Sequence, residues 1–166
     1  MSELNRAETR PPAVAGLFYA ADPRELTATV DDLMAKAHET RRRLPGRAPF
    51  AIVVPHAGLI YSGQTAAIAY QHLTRFRSQF QRVLILGPAH RVAFQGIAAP
   101  SVGAFRTPLG TVPVDTDAIT ALGRLDYVNV RDDAHATEHC IEVQLPFLQH
   151  CLDHFSIIPL VVGGAS

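Results

Sequence analysis

The chain contains several short, uninterrupted apolar runs separated by more polar stretches. The runs are "FAIVV" at residues 50–54, "RVLILG" at 82–87 and "FSIIPLVV" at 155–162. Continuous apolar character over five to eight residues is typical of a strand covered on both faces of a sheet. The pattern therefore predicts three buried strands.

Helical patterns lie between these runs. Asp22, Pro23 and Glu25 form an N-cap, a first-turn proline and a capping-box acid, and they predict a helix to about His38. Ser62 is predicted to cap a second helix. Its apolar stripe comprises Ala66, Ala67, Ala69, Tyr70 and Leu73.

The second half of the chain is more broken. Residues 95–115 are rich in Gly and Pro, which predicts short strands or hairpins. Asp115 is predicted to cap a helix that runs through Leu122, and "DYVNV" is predicted to form a short strand. Residues 138–151 are predicted to form a helix that Pro146 can kink. Alternation of strands and helices predicts a single α/β domain over residues 1–166, with a three-layer, mainly parallel sheet flanked by helices.

Composition narrows the functional classes. The 166 residues carry 15 basic and 15 acidic side chains, so no overall charge would attract nucleic acid or a membrane. We expect the arginines at 41–43 and 47 to lie on a solvated linker. The apolar runs are shorter than the ~20 residues that a membrane helix requires. The first ten residues do not resemble a signal peptide, and two cysteines suit a reducing compartment, so we expect a cytoplasmic protein.

Two histidines stand just beyond two of the apolar runs. His56 follows "FAIVV" in "VVPHAG", and His90 follows "RVLILG" in "LGPAH". Carboxyl ends of neighbouring parallel strands meet at one rim of a sheet, where α/β folds bind ligands. Imidazole is a common ligand of Fe, Cu and Zn, and an adjacent proline fixes the backbone that aims it. The sequence therefore predicts that His56 and His90 contribute to one metal site.

A third histidine pattern allows two interpretations. His135, Glu138 and His139 have the spacing H-x-x-E-H, which on a helix would place two imidazoles and a general base at a peptidase zinc ion. Alternatively, Thr137 caps a helix that begins near Glu138, and His139 turns inward or faces the cleft as an acid or base. The peptidase interpretation leaves His56 and His90 without a role.

Five segments, occurring in order, resemble one known family. They are "RPPAVAGLFYAADP", "PHAGLIYSG", "LILGPAH", "FRTPLGTVPVD" and "HATEHCIEVQLPFLQ". Together they are similar to the Memo family, the MEMO1-like proteins also labelled AmmeMemoRadiSam system protein B. The resemblance runs from about Pro11 to the end of the chain.

The resemblance implies a fold like that of the LigB-type extradiol dioxygenases, which are non-haem iron enzymes. It also implies that His56 and His90 are metal ligands, with Fe(II) or copper favoured over zinc. Tyr61, Glu138 and Glu142 become further cleft candidates, and His139 the catalytic candidate. Cys140 stands where the family typically has serine, so the resemblance gives it no role. An unoccupied site is compatible with this pattern.

Family members continue beyond the segment matched here, and the resemblance places a cysteine and another histidine of the site in that continuation. We therefore expect an incomplete metal site and an unpaired strand edge or apolar surface at "IIPLVVGGAS", so that the chain either associates with itself through this edge or is marginally stable as a monomer. Three functions remain: a metal-dependent redox protein acting on a small aromatic substrate, a non-catalytic metal or peptide binder, and the zinc peptidase.

Overall fold

The computed structural model describes residues 5–39 and 46–164. The predicted linker at 41–49 falls partly outside these ranges. The described elements, in chain order, are β1 (Thr9–Arg10), α1 (Pro23–Glu39), α2 (Leu59–Thr74), β2 (Arg82–Pro88), β3 (Ile97–Ala99), β4 (Ala104–Thr107), β5 (Gly110–Pro113), α3 (Thr116–Leu122), β6 (Val128–Val130), α4 (Asp132–Ala136), a 3₁₀ turn (Glu142–Gln144), α5 (Leu145–Cys151) and β7 (Ser156–Val162).

The strands form two mixed sheets. The larger sheet has the order β2-β7-β3-β6, in which β2 and β7 are parallel, β7 and β3 antiparallel, and β3 and β6 parallel. The smaller sheet has the order β1-β4-β5. Helices α1, α2 and α5 pack together, while α3 contacts β7 and α4 contacts β3. The class is α/β as predicted, but the expected single, mainly parallel sheet is not what the structure contains.

Several predicted elements are confirmed because local chemistry specifies them. Asp22 accepts hydrogen bonds from the backbone N–H groups of Arg24 and Glu25 at the start of α1, and Asp115 accepts from Ala118 at the start of α3. The predicted hairpin is β4–β5, and Gly110 at its turn has φ +124°, a conformation that only glycine adopts without strain. These caps and turns depend on residues close in sequence.

One predicted strand is absent, and the predicted start of one helix is wrong. Residues 50–54 form no strand, and Phe50 and Val53 are fully exposed. Helix α2 begins at Leu59 with Gly58 as its N-cap, so Ser62 is not the cap and its hydroxyl donates to the carbonyl of Ala57 instead. Gly58 lies against the backbone of Phe18, whose carbonyl accepts from the N–H of Leu59.

The predicted helix at 138–151 is also shorter than expected. Helix α4 ends at Ala136, a turn follows, and helical structure resumes only with the 3₁₀ turn at Glu142–Gln144 and with α5. Pro146 stands in the first turn of α5, where a missing N–H costs nothing, rather than at a kink. Thr137 is the C-cap residue of α4, not an N-cap.

Strand β7 occupies the interior of its sheet. It pairs with β2 over its whole length and with β3 at its end, and Ile157, Leu160 and Val161 are buried. The predicted open edge at the last strand is therefore wrongly placed. The open edges of this sheet belong to β2 and β6, and no strand in the described ranges pairs with the outer side of β2.

Candidate metal centre

Three histidines from separate parts of the chain meet at one place. His56 lies in the segment before α2, His90 follows β2, and His139 lies in the turn after α4. The ring centroids of His56 and His90 are 5.1 Å apart, those of His56 and His139 5.9 Å, and those of His90 and His139 4.5 Å. We call these three residues the histidine cluster.

The histidine cluster has dimensions that suit a single ion. One nitrogen of each ring lies within 4.8 Å of the corresponding nitrogens of the other two. Ligand atoms bound to one ion at about 2.1 Å are at most about 4.2 Å apart. Small ring rotations are therefore sufficient for all three imidazoles to bind one metal.

Burial and the neighbouring histidines favour the neutral form of two of these rings, His56 and His139. Loss of hydration lowers the pKa of His56, and the neighbouring His90 lowers it further, while Glu138 opposes the shift. Burial likewise lowers the pKa of His139 against the opposing effect of Glu138. Neutral imidazole is the form that binds metals, so the environment favours ligation over protonation.

Glu138 lies beside the histidine cluster and forms hydrogen bonds with the backbone that carries two of its rings. Its side chain is almost fully buried and accepts hydrogen bonds from the backbone N–H groups of His90, His139 and Cys140, at 2.7, 2.8 and 3.1 Å. Burial opposes ionisation, but these bonds and the His90 ring together lower the pKa of Glu138 to about 2. The carboxylate is therefore charged at neutral pH and organises the loops that carry two of the rings.

The same carboxylate contacts two of the rings directly. Oε1 of Glu138 lies 3.0 Å from Nδ1 of His90 in a hydrogen bond, which leaves Nε2 of that ring for a ligand. Nδ1 of His139 is also 3.0 Å from Oε1, but this contact does not have hydrogen-bond geometry, and within the described residues this buried nitrogen has no hydrogen-bond partner. An unpartnered buried ring nitrogen is a polar group that a metal or a small rotation would satisfy.

The other predicted site residues lie apart from the cluster. Glu142 is fully buried and pairs with Arg10. Tyr61 is exposed on the first turn of α2, and in the described part of the chain no hydrogen bond or ring contact joins it to the cluster. His135 is buried on α4, where its Nε2 lies 3.0 Å from the carbonyl of Ala98. Since His135 and His139 do not share a helix, the H-x-x-E-H zinc arrangement is not formed.

Two residues beside the histidine cluster were not predicted to belong to the site. The Phe18 ring lies 4.6 Å from the His139 ring and forms one wall of the cluster. Cys140 is close enough to His90 and Glu138 to form a second group of metal-competent atoms, and it packs against Gly87, where a Cβ atom would approach its sulfur to 2.4 Å. Burial raises the pKa of the Cys140 thiol to about 12, with Glu138 adding to the effect, so the sulfur is a protonated packing group. The glycine ending "RVLILG" is the only sequence signal for this contact.

Comparison with known proteins identifies the family that the chain resembles. The profile of the family described as Memo-like protein matches residues 10–166. MEMO1 family proteins from Sulfolobus acidocaldarius and Methanopyrus kandleri are 40% and 41% identical over 162 and 168 residues, which cover 92% and 93% of this chain. One from Aquifex aeolicus is 40% identical over 154 residues, 92% of the chain.

The chain spans little more than half the length of these relatives, namely 57%, 56% and 54%. No helix in the described ranges has the length and apolar character needed to cross a membrane. The family profile covers nearly the whole sequence, and the three relatives carry the same family name. The chain therefore belongs to the Memo family.

Proposed function

We propose that the protein binds one divalent transition metal through His56, His90 and His139. The observation that carries the proposal is the convergence of three imidazoles from distant segments, with ligand atoms within 4.8 Å of one another. His139 takes the third ligand position here. The role predicted from sequence, an acid or base beside the metal, is the alternative for this residue.

The chemistry of the donor set supports a transition metal. Imidazole suits Fe, Cu and Zn, whereas Mg²⁺ and Ca²⁺ prefer oxygen ligands. The preference for Fe(II) or copper over zinc rests on the family resemblance to LigB-like extradiol dioxygenases. Under this proposal the protein has a related fold and supports redox or oxygenase chemistry on a small aromatic substrate.

The residues around the cluster have defined tasks in this scheme. A bound metal would supply a Lewis-acidic and redox-active centre with positions open to substrate. Glu138 holds His90 and the turn that carries His139, and Phe18 offers an apolar ring beside them. Cys140 and Cys151 are both buried free thiols, which supports a reducing location such as the cytoplasm.

A non-catalytic metal-binding role is the second candidate, and peptide binding belongs to the same class. The ring-cleaving iron enzymes use two histidines and a carboxylate as ligands. In this chain Glu138, the carboxylate nearest the cluster, already accepts three backbone hydrogen bonds and one from His90. A carboxylate so occupied is poorly placed to bind the metal, which favours storage or transfer over oxygenation.

Metal analysis combined with oxygen uptake tests the proposal. We expect protein purified without added metal to bind one Fe(II) per chain under anaerobic conditions, measured by calorimetry, and His90→Ala to bind at least 100-fold more weakly. His154→Ala removes an exposed histidine outside the cluster and should bind as the wild type does. Equal affinity of His90→Ala and the wild type would refute the site.

Oxygen consumption with catechols separates the two roles. Uptake that disappears in His90→Ala supports oxygenase chemistry, whereas tight binding without uptake supports the non-catalytic role. A preference for Zn²⁺ over iron and copper would contradict the assigned metal. His139→Ala distinguishes a ligand from an acid or base, because only loss of a ligand lowers the affinity strongly.

A further inference from the structure

Cys140 lies against the segment that carries His90. Its sulfur packs on Gly87 near the end of β2, where a Cβ atom would clash with it, so the glycine leaves the room that the sulfur occupies. His90 follows three residues later in the chain. The backbone N–H groups of His90 and Cys140 both donate to the Glu138 carboxylate. The sulfur is therefore held beside the loop that contains the His90 ring.

The sulfur belongs to a group of metal-competent atoms that differs from the histidine cluster. Sγ of Cys140, one ring nitrogen of His90 and one carboxylate oxygen of Glu138 lie within 4.8 Å of one another. At metal–sulfur and metal–nitrogen distances of about 2.3 and 2.1 Å, two ligand atoms on opposite sides of one ion are about 4.4 Å apart. Small side-chain rotations are therefore sufficient for Cys140 and His90 to bind one ion together.

The available donors select a soft ion. Glu138 is a poor ligand here, because its carboxylate already accepts hydrogen bonds from three backbone N–H groups. One sulfur and one imidazole remain. Zn²⁺ in protein sites almost always has four ligands, and non-haem Fe(II) favours imidazole and carboxylate. Thiolate sulfur selects Cu(I), an ion that is stable with only two ligands. The pair therefore suits Cu(I) better than the divalent metals.

An ion reaches the sulfur by way of His90. Cys140 is 2% exposed, whereas the His90 side chain is 36% exposed, so the imidazole can bind an ion from solvent first. The thiol is protonated in the metal-free protein. Binding replaces its S–H bond by an S–Cu bond, and the proton passes to solvent. No electron is transferred, because the ion arrives as Cu(I).

We propose that Cys140 and His90 bind one Cu(I) ion in a site distinct from the three-histidine site for a divalent metal. His90 belongs to both groups, but Cys140 belongs only to the Cu(I) group and His56 only to the histidine cluster. The inference therefore goes beyond the proposed function and does not depend on it. Single substitutions at these two residues test each site separately.

Competition with a coloured Cu(I) chelator under anaerobic conditions measures the affinity. We expect Cys140→Ser to bind Cu(I) roughly 100-fold more weakly than the wild type or worse, because one of two ligands is lost. Its Fe(II) affinity should stay within about 3-fold of the wild type, since imidazoles alone form that site. His56→Ala should show the reverse pattern, with weaker Fe(II) binding and unchanged Cu(I) binding.

The chain offers a matched control. Cys151 is also a buried free thiol, but within the part of the chain that the structure describes it belongs to no group of metal-competent atoms. Cys151→Ser should therefore bind Cu(I) as the wild type does. The family resemblance places serine at position 140, so we expect Cys140→Ser to fold, and its unfolding midpoint without metal checks this.

X-ray absorption at the copper edge tests the site in the wild type, without any variant. We expect one sulfur neighbour of the bound Cu(I). The proposal is overturned if the wild type does not bind Cu(I), if no sulfur neighbour appears, or if Cys140→Ser binds Cu(I) as tightly as the wild type. It is also overturned if only Cys151→Ser loses the ion. Absent Fe(II) binding with intact, Cys140-dependent Cu(I) binding supports this site and refutes the proposed function alone.

Discussion

Two buried glutamates only four residues apart have different surroundings. Glu142 is 0% exposed and accepts from Arg10 at 2.6 Å, from the backbone of Ala13 and Val14, and from the Tyr19 hydroxyl at 2.5 Å. Glu138 is 3% exposed and has equally many hydrogen bonds, but it faces histidine rings rather than a guanidinium.

The residue that pairs with each carboxylate, rather than the extent of its burial, distinguishes the structural glutamate from the one at the candidate site. Arginine stays charged at all relevant pH values, so the Arg10–Glu142 pair is a fixed structural link. Arg10 also donates to the carbonyls of His135 and Glu138, which ties the N-terminal segment to the turn that carries the cluster. Neutral imidazole binds transition metals, so the surroundings of Glu138 can change when a metal binds.

Breaking the structural link should have the largest effect. Glu142→Gln leaves the Arg10 guanidinium buried without a counter-charge, so we expect the free energy of unfolding to fall by about 3–5 kcal/mol. Urea or guanidinium denaturation measures the loss. Asp32→Asn serves as the control, because it breaks the exposed pair with Lys36 and should cost less than about 0.5 kcal/mol. A loss below about 1 kcal/mol in Glu142→Gln would contradict the distinction.

The equivalent change at the cluster should affect binding more than folding. Glu138→Gln keeps the shape but removes the charge that orients His90, so we expect Fe(II) affinity to fall about 10- to 100-fold. The loss of stability should be smaller than in Glu142→Gln, because no buried arginine is left unpaired. Anaerobic calorimetry and denaturation together measure both quantities. A variant that binds Fe(II) normally would remove Glu138 from the proposed site.

The pKa of His135 predicts a smaller effect, a loss of folding stability at acidic pH. Burial lowers the pKa of His135 to about 4, with Arg10 also lowering it and the Ala98 carbonyl opposing the shift. Between about pH 6.5 and 4 the unfolded chain therefore binds a proton that the native protein does not, and stability falls as the pH falls.

We expect this histidine to account for about 1–2 kcal/mol of the loss between about pH 6.5 and 5, because a full proton taken up only by the unfolded chain corresponds to about 1.4 kcal/mol per pH unit. Denaturation curves across this pH range for the wild type and His135→Gln measure the contribution as the difference between their slopes. Identical slopes would show that His135 protonates without penalty in the native state.

Local signals made part of the fold predictable. The caps at Asp22 and Asp115 depend on residues two or three positions away, and both were predicted correctly. The conformation of residues 50–54 was not predicted correctly, because an apolar run can form a strand only where another strand pairs with it. The interior position of β7 also depends on partners about 60 to 75 residues earlier in the chain, which no local pattern reveals.

The candidate site was predictable to a similar degree. His56 and His90 come together as predicted, since each follows an apolar run, although only the run before His90 forms a strand. Sequence spacing could not show that Glu138 and Glu142 have different roles, because those roles depend on Arg10, which lies more than 125 residues earlier in the chain. The contact of Phe18 with His139 spans a similar distance along the chain and was missed for the same reason.

The position of β7 also affects the order of events during synthesis. Its residues pair with Arg82–Pro88 on one side and with Ile97 and Ala98 on the other, so among the residues that the structure describes β7 is what joins β2 and β3 in one sheet. A ribosome adds roughly 5–20 residues per second. For several seconds after β2 emerges, its apolar side chains therefore have no sheet partner on the nascent chain. During that interval β2 is a natural contact for chaperones, and pairing of such distant segments makes assembly of this sheet slow.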